Sequence, residues 1–110
     1  MEVDYEDPRF ETLLRDERVL RKTYGADVVK RLAIRLTTIR ESNNLAELHL
    51  QPGRTHPLSG SRAGRFAMEL PNGRRLEFRP TPPVPAKPDG GIDLTKVTNI
   101  TLIEISDHYT

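Results

Sequence analysis

Residues 65–79 read RFAMELPNGRRLEFR. Two runs, Arg65–Leu70 and Arg74–Arg79, alternate apolar and polar side chains with period two, which predicts two half-buried strands. Pro71-Asn72-Gly73 between them predicts a hairpin turn. A two-residue Asn-Gly loop would set Leu70 against Arg75 and Phe66 against Arg79, mixing the two faces. A three-residue loop sets Phe66 against Phe78 and Met68 against Leu76, so one side is uniformly apolar. In that register Pro71 suits the second position of a type I turn and Gly73 supplies a left-handed residue. The opposite side then pairs Glu69 with Arg75, Ala67 with Glu77 and Arg65 with Arg79. Like charges directly opposite are destabilising, so the last pair implies either an anion or carboxylate between the two, or solvated, screened side chains.

Working outward, Glu2 to Tyr5 alternate and predict a short first strand. Asp7-Pro8 reads as an N-cap followed by a proline at the first helical position, opening a helix that stops at Gly25. Its apolar stripe is Phe10, Leu13, Leu14, Leu20 and Tyr24. A second helix runs from about Ala26 to Glu41 on the stripe Val29, Leu32, Ala33, Leu36 and Ile39. Arg31, Arg35 and Arg40 fall largely off this stripe and read as a solvated face. SNNLAEL (42–48) caps a single helical turn and QPGRTHP (51–57) is a loop. Residues 80–95 form a Pro-rich loop insertion, with a β-branched strand over Lys96–Ile105. The expected architecture is α+β: an N-terminal helical hairpin packed on a small, mainly antiparallel sheet, in one domain spanning 1–110.

Charge is balanced overall, at +1, but not locally. Between Gln51 and Pro80 six Arg face Glu69 and Glu77, a local +4, whereas residues 1–24 carry seven acids against five bases, or −2. A local anionic partner is the implication. The chain has no Cys, and its three His show no ligand-like spacing, so neither a disulfide framework nor a metal or other cofactor is expected. No apolar run would cross a membrane and MEVDYED is no secretory leader, so the expected location is cytoplasmic.

HPLSGSRAGRFAMEL (56–70), GRRLEF (73–78) and ITLIEISDHY (100–109) together resemble the RelE/ParE superfamily of toxins, and its HigB-like members most. The resemblance rests on His56-Pro57-Leu58, Gly60, Arg62, Gly64, Phe66 and Met68, then on Arg75, Leu76 and Phe78, then on Asp107. It departs from the pattern at Ser59, where the family carries Lys, and at Asp107-His108-Tyr109, where the family ends in Asp-Tyr-His.

The resemblance implies a toxin of a type II toxin–antitoxin module that cuts ribosome-bound mRNA without a metal. The RNA 2′-OH attacks the adjacent phosphate, which calls for a base, an acid and fixed positive charge. It assigns phosphate stabilisation to Arg75 and proton transfer to His108 or Tyr109. Arg62, Arg65 and Arg79, with His56, would hold RNA, although His56 beside Pro57 suits a loop-shaping role better than a chemical one. Strand parity favours His108 over Tyr109 if Ile103 and Ile105 face the core. The implied partners are a helix-turn-helix antitoxin, the ribosome and mRNA. Two other functions stay open: a ParE-like gyrase inhibitor without nuclease chemistry, and a catalytically decayed module that only binds an antitoxin.

Overall fold

The computed structural model describes residues 1–107. Five strands form one mixed sheet in the order β1-β5-β4-β3-β2. These are β1 (Glu2–Tyr5), β2 (His56–Pro57), β3 (Phe66–Glu69), β4 (Arg74–Pro80) and β5 (Asn99–Asp107). Only β1 and β5 run parallel; the other pairs are antiparallel. Helices α1 (Pro8–Leu14), α2 (Glu17–Tyr24), α3 (Ala26–Glu41) and α4 (Leu45–His49) precede most of the sheet. No helix among the described residues is long and apolar enough to cross a membrane.

The hairpin register is the one that parity demands: Phe66 opposite Phe78, Ala67 opposite Glu77, Met68 opposite Leu76 and Glu69 opposite Arg75. The Phe66 and Phe78 rings stack with centroids 5.8 Å apart. With Met68, Leu76, Ile100 and Leu102 they join Val28, Leu32, Ile39, Leu45 and Leu48 in one core between sheet and helices. The turn differs in detail from expectation. Asn72 (φ 63°) as well as Gly73 (φ 72°) is left-handed, and the Arg74 N–H donates to Pro71 O at 3.4 Å. Two successive positive φ values are the signature of the Asn-Gly type I′ turn. The ladder nevertheless resumes with Leu70 N–H donating to Arg74 O at 2.9 Å.

The helix expected over residues 8–24 is two helices. Asp7 caps the first, accepting from Arg9 N at 2.9 Å. Asp16 then accepts from Val19 N at 3.2 Å and starts a second. An Asp side chain competes for backbone N–H groups in this way, and so it restarts a helix rather than continuing one. Gly25 (φ 91°) joins α2 to α3 as a hairpin.

The buried face of α3 is also rotated from the expected stripe: Val28, Leu32, Arg35 and Ile39 are buried, and Ala33 is exposed. Arg35 earns its place on the core side by donating from Nε to the Glu69 carbonyl at 3.0 Å, while its stem packs among apolar groups. Burial, with Arg31 nearby, pulls its guanidinium below the ordinary range.

Gly53 packs under Arg35 and holds the loop to β3, its carbonyl accepting from Glu69 N at 2.9 Å. Its φ is +124°, and a Cβ there would lie 2.9 Å from Met68 Cε and 3.1 Å from Arg35 Cδ. Gly53→Ala should cost about 1–3 kcal/mol for the backbone conformation alone. A urea titration should show a lower midpoint with an unchanged slope.

Three further differences concern the strands. β2 is a short strand where a loop was expected, pairing His56 with Ala67. β5 begins at Asn99 rather than Lys96, because Leu94–Lys96 winds into a 3₁₀ turn capped by Asp93, which accepts from Thr95 N at 3.2 Å. The register also shifts between Glu77 and Phe78, which pair with Glu104 and Leu102. This bulge leaves Ile103 outside the main core cluster, whereas Ile105 packs against it. The Pro-rich stretch closes on itself through an Ala86–Ile92 bridge, with Lys87 N–H donating to Gly91 O at 2.7 Å.

Candidate phosphate site on the outer sheet face

Alternation along β4 sends Leu76 and Phe78 into the core and Arg75 and Glu77 to the other side. The β4–β5 register sets Ser106 beside Arg75 and Glu104 beside Glu77. This outer face is partly roofed. After β2 the chain makes a 3₁₀ turn over Gly60–Arg62, closed by Leu58 N–H donating to Arg65 O at 2.8 Å and Arg65 N–H donating to Arg62 O at 3.0 Å. The turn brings Arg62 and Arg65 down beside Arg75, and Ala67 and Glu77 beneath are fully buried.

The centre of the arrangement is the Glu77 carboxylate. Its Oε1 lies 3.2 Å from Arg65 Nη1 and 3.5 Å from Arg62 Nε, and its Oε2 lies 3.4 Å from Arg75 Nε. The Ser106 hydroxyl donates to Oε2 and accepts from Arg75 Nε, the latter at 3.1 Å. Arg65 also reaches Glu104 at 3.3 Å. Desolvating a carboxylate costs on the order of several kcal/mol, and here three guanidiniums and a hydroxyl offset it. Burial pushes the Glu77 carboxyl up. The Ser106 hydrogen bond, the Arg65 hydrogen bond and the charges of Arg62 and Arg75 outweigh that and hold it below the usual carboxylate range.

A carboxyl depressed in the folded state contributes stability that is fully present above its unfolded pKa, about 4.3. That contribution is lost as pH falls through the lower folded value. The urea midpoints of wild type and Glu77→Gln should therefore differ by a constant amount from pH 8 to 5. The gap should narrow only below about pH 4.3, and a gap that closes above pH 5 contradicts the assignment.

Beside this cluster an open depression of about 320 Å³ is lined by His56, Ser59, Ser61, Arg62 and Arg75, with no carboxylate among its lining residues. His56 Nδ1 lies 2.8 Å from the Arg54 carbonyl. A carbonyl only accepts, so Nδ1 is the donor in this bond, which fixes the ring against the loop. Two guanidiniums, two hydroxyls and an imidazole around one hollow suit a phosphate group.

Of the residues singled out in the sequence, Arg62, Arg65, Arg75 and His56 meet at this place. Arg79 does not: it bonds Glu6 from Nε and Nη2, at 3.2 and 3.1 Å, further along the strand. Carboxylates thus answer the Arg65–Arg79 juxtaposition, Glu77 and Glu104 taking Arg65 while Glu6 takes Arg79. Glu69 and Arg75 are cross-strand neighbours, but Glu69 spends its charge on Arg54 at 2.9 Å. His108 and Tyr109 lie outside the described residues. Sequence reasoning missed Glu77 as the hub, and Glu104 and Ser106 with it. The available signal was a glutamate in mid-strand, a poor β-former, on the same face as Arg75 and opposite Ala67. No group of three or more potential metal-ligating side chains occurs among the described residues.

The helical hairpin on a five-stranded mixed sheet is an α+β fold that a solved toxin structure shares. Among solved structures the chain is similar to a YoeB/ParE toxin from Agrobacterium tumefaciens, with a TM-score of 0.55 and 15% identity over 99% of this chain and 100% of that one. No protein-family model and no curated protein sequence matches. At this identity the likeness is one of fold.

Proposed function

We propose that the chain is the toxin of a type II toxin–antitoxin module, a cytoplasmic endoribonuclease that cuts ribosome-bound mRNA and is neutralised by a helix-turn-helix antitoxin. The observation that carries this reading is the carboxylate-free depression walled by His56, Arg62 and Arg75. A phosphodiester seated there faces guanidiniums suited to the charge that builds on its oxygens as the 2′-oxygen attacks. The P–O5′ bond breaks, the 2′-OH proton passes to a base and the 5′-oxygen gains a proton. The products are a 2′,3′-cyclic phosphate and a 5′-hydroxyl. Arg75 stabilises the phosphorane-like state, and Arg62 and Arg65 hold neighbouring phosphate oxygens. Proton transfer falls to His108 or Tyr109 and, among the described residues, to His56, whose Nδ1 is held by the Arg54 carbonyl.

A second reading has its own observation. The Arg75 side chain is only 14% exposed and already engaged by Ser106 and Glu77, which suits a purely structural network in a ParE-like gyrase inhibitor or an antitoxin-binding module. Induced expression in a bacterium separates the three. Codon-phased cuts in abundant mRNAs, mapped by primer extension and lost in Arg75→Ala and His108→Ala, support the nuclease. Toxicity with intact transcripts and inhibited supercoiling means gyrase. Harmless expression leaves only the binding module.

A further inference from the structure

Glu77 is a titratable group at full burial that the proposed reaction does not use. Position 77 faces Ala67 on one neighbouring strand and Glu104 on the other. An apolar β-branched residue would serve the sheet better there. The carboxylate instead gathers side chains from separate parts of the chain: Arg62 from the roofing turn, Arg65 from just before β3, Arg75 from β4 and Ser106 from β5.

The way they meet it is informative. Arg62 and Arg75 both approach Glu77 through Nε. That leaves the edge carrying the two Nη groups of each guanidinium uncommitted to Glu77, and this edge can engage a phosphate with two parallel N–H donors. Arg62 and Arg75 are also the two guanidiniums lining the depression. Ser106 fixes Arg75 a second time, accepting from its Nε while donating to Glu77.

We propose that Glu77 is a positioning residue for the phosphate site, a buried carboxylate that holds Arg62, Arg65 and Arg75 in one fixed orientation before RNA arrives. This rests on the nuclease reading for its consequence in turnover, but the orientation itself is observable without it. The role predicts a split that a purely structural ion pair does not produce. Removing the Glu77 charge makes the face more positive, so RNA attachment holds or strengthens. The guanidiniums lose their common anchor, so turnover falls, because small misplacements of catalytic groups cost about 100-fold.

The test uses the purified full chain carrying Glu77→Gln and, separately, Ser106→Ala. Three quantities are measured for each: cleavage of mRNA on translating ribosomes per folded molecule, anisotropy of a labelled short RNA across a salt series, and the arginine Nε–H resonances. Expected for Glu77→Gln are turnover down about 100-fold, RNA affinity equal or a few-fold tighter, and dispersed Nε–H signals collapsing to the solvent-exposed position. Ser106→Ala should lose about tenfold in the same direction, since it removes one of two anchors on Arg75. Turnover within threefold of wild type overturns the proposal, and so does a parallel fall of affinity and turnover. If Glu77→Gln does not fold, Ser106→Ala decides by the same criteria. A wild type that cuts no RNA sinks the nuclease reading alone. The resonances and the RNA affinity then decide on Glu77: collapse with firm attachment supports it, and unchanged signals overturn it.

Discussion

Arg75→Ala should lower mRNA cleavage by about 10²–10³-fold, the usual consequence of removing one donor aimed at developing transition-state charge. The expectation follows from where the side chain is held. Arg75 lines the depression, and its Nε is pinned by Ser106 at 3.1 Å and Glu77 at 3.4 Å. A pinned guanidinium needs no reorganisation when charge builds on a phosphate. Stability should fall by only about 1–3 kcal/mol for the lost charged hydrogen bond, because Glu77 keeps Arg62 and Arg65 as partners. Arg75→Lys should recover little, since an ammonium lacks the planar fork that serves Ser106, Glu77 and a phosphate together. Single-turnover cleavage with a circular-dichroism check of folding measures both. A variant that is folded and as fast as wild type removes Arg75 from the chemistry.

Phe78→Ala should be the most damaging single truncation for stability, at about 3–5 kcal/mol. Phe78 is fully buried and stacked on Phe66 at 5.8 Å. It also occupies the position where the β4–β5 register shifts, so a cavity there loosens the ladder that carries Glu77 next to it. Each kcal/mol moves the melting temperature of a domain this size by about 4–8 °C, so the midpoint should drop by tens of degrees. Phe78→Leu should keep most of the loss back, because it leaves a smaller void. A melting temperature lowered by only a few degrees in Phe78→Ala contradicts this account of the core.

Much of this fold is legible in the hairpin, because only one register keeps Phe66, Met68, Leu76 and Phe78 on a single face. The α3 limits follow as directly from Gly25 and its apolar spacing. What escaped has physical causes. Asp16 breaks a helix that its apolar stripe would continue, since periodicity does not register a side chain that bonds backbone. Arg35 reads as surface by residue type, yet its Nε finds the Glu69 carbonyl inside. The bulge at Glu77/Phe78 has no signature in composition, and it pairs Phe78 with Leu102, leaving the buried Ile103 outside the main core cluster. At the site, Arg62, Arg65, Arg75 and His56 could be found from motif and parity. Their hub could not, because Glu77 becomes an electrostatic centre only when the Gly60–Arg62 turn folds over it.

The order of the strands has a consequence for when the molecule acquires its site. β5 is an interior strand of the sheet, pairing with β4 on one side and with β1, from the other end of the chain, on its other side. Ile100 and Leu102 on β5 are fully buried, and Ser106 on β5 is the hydroxyl that braces Arg75. During synthesis the first strand must therefore wait, unpaired, until residues 99–107 have left the ribosome. A chain interrupted before residue 99 has neither a complete core nor a braced arginine. Translation itself is then a delay timer: the arginine cluster around Glu77 gains its Ser106 brace only once β5 has been made.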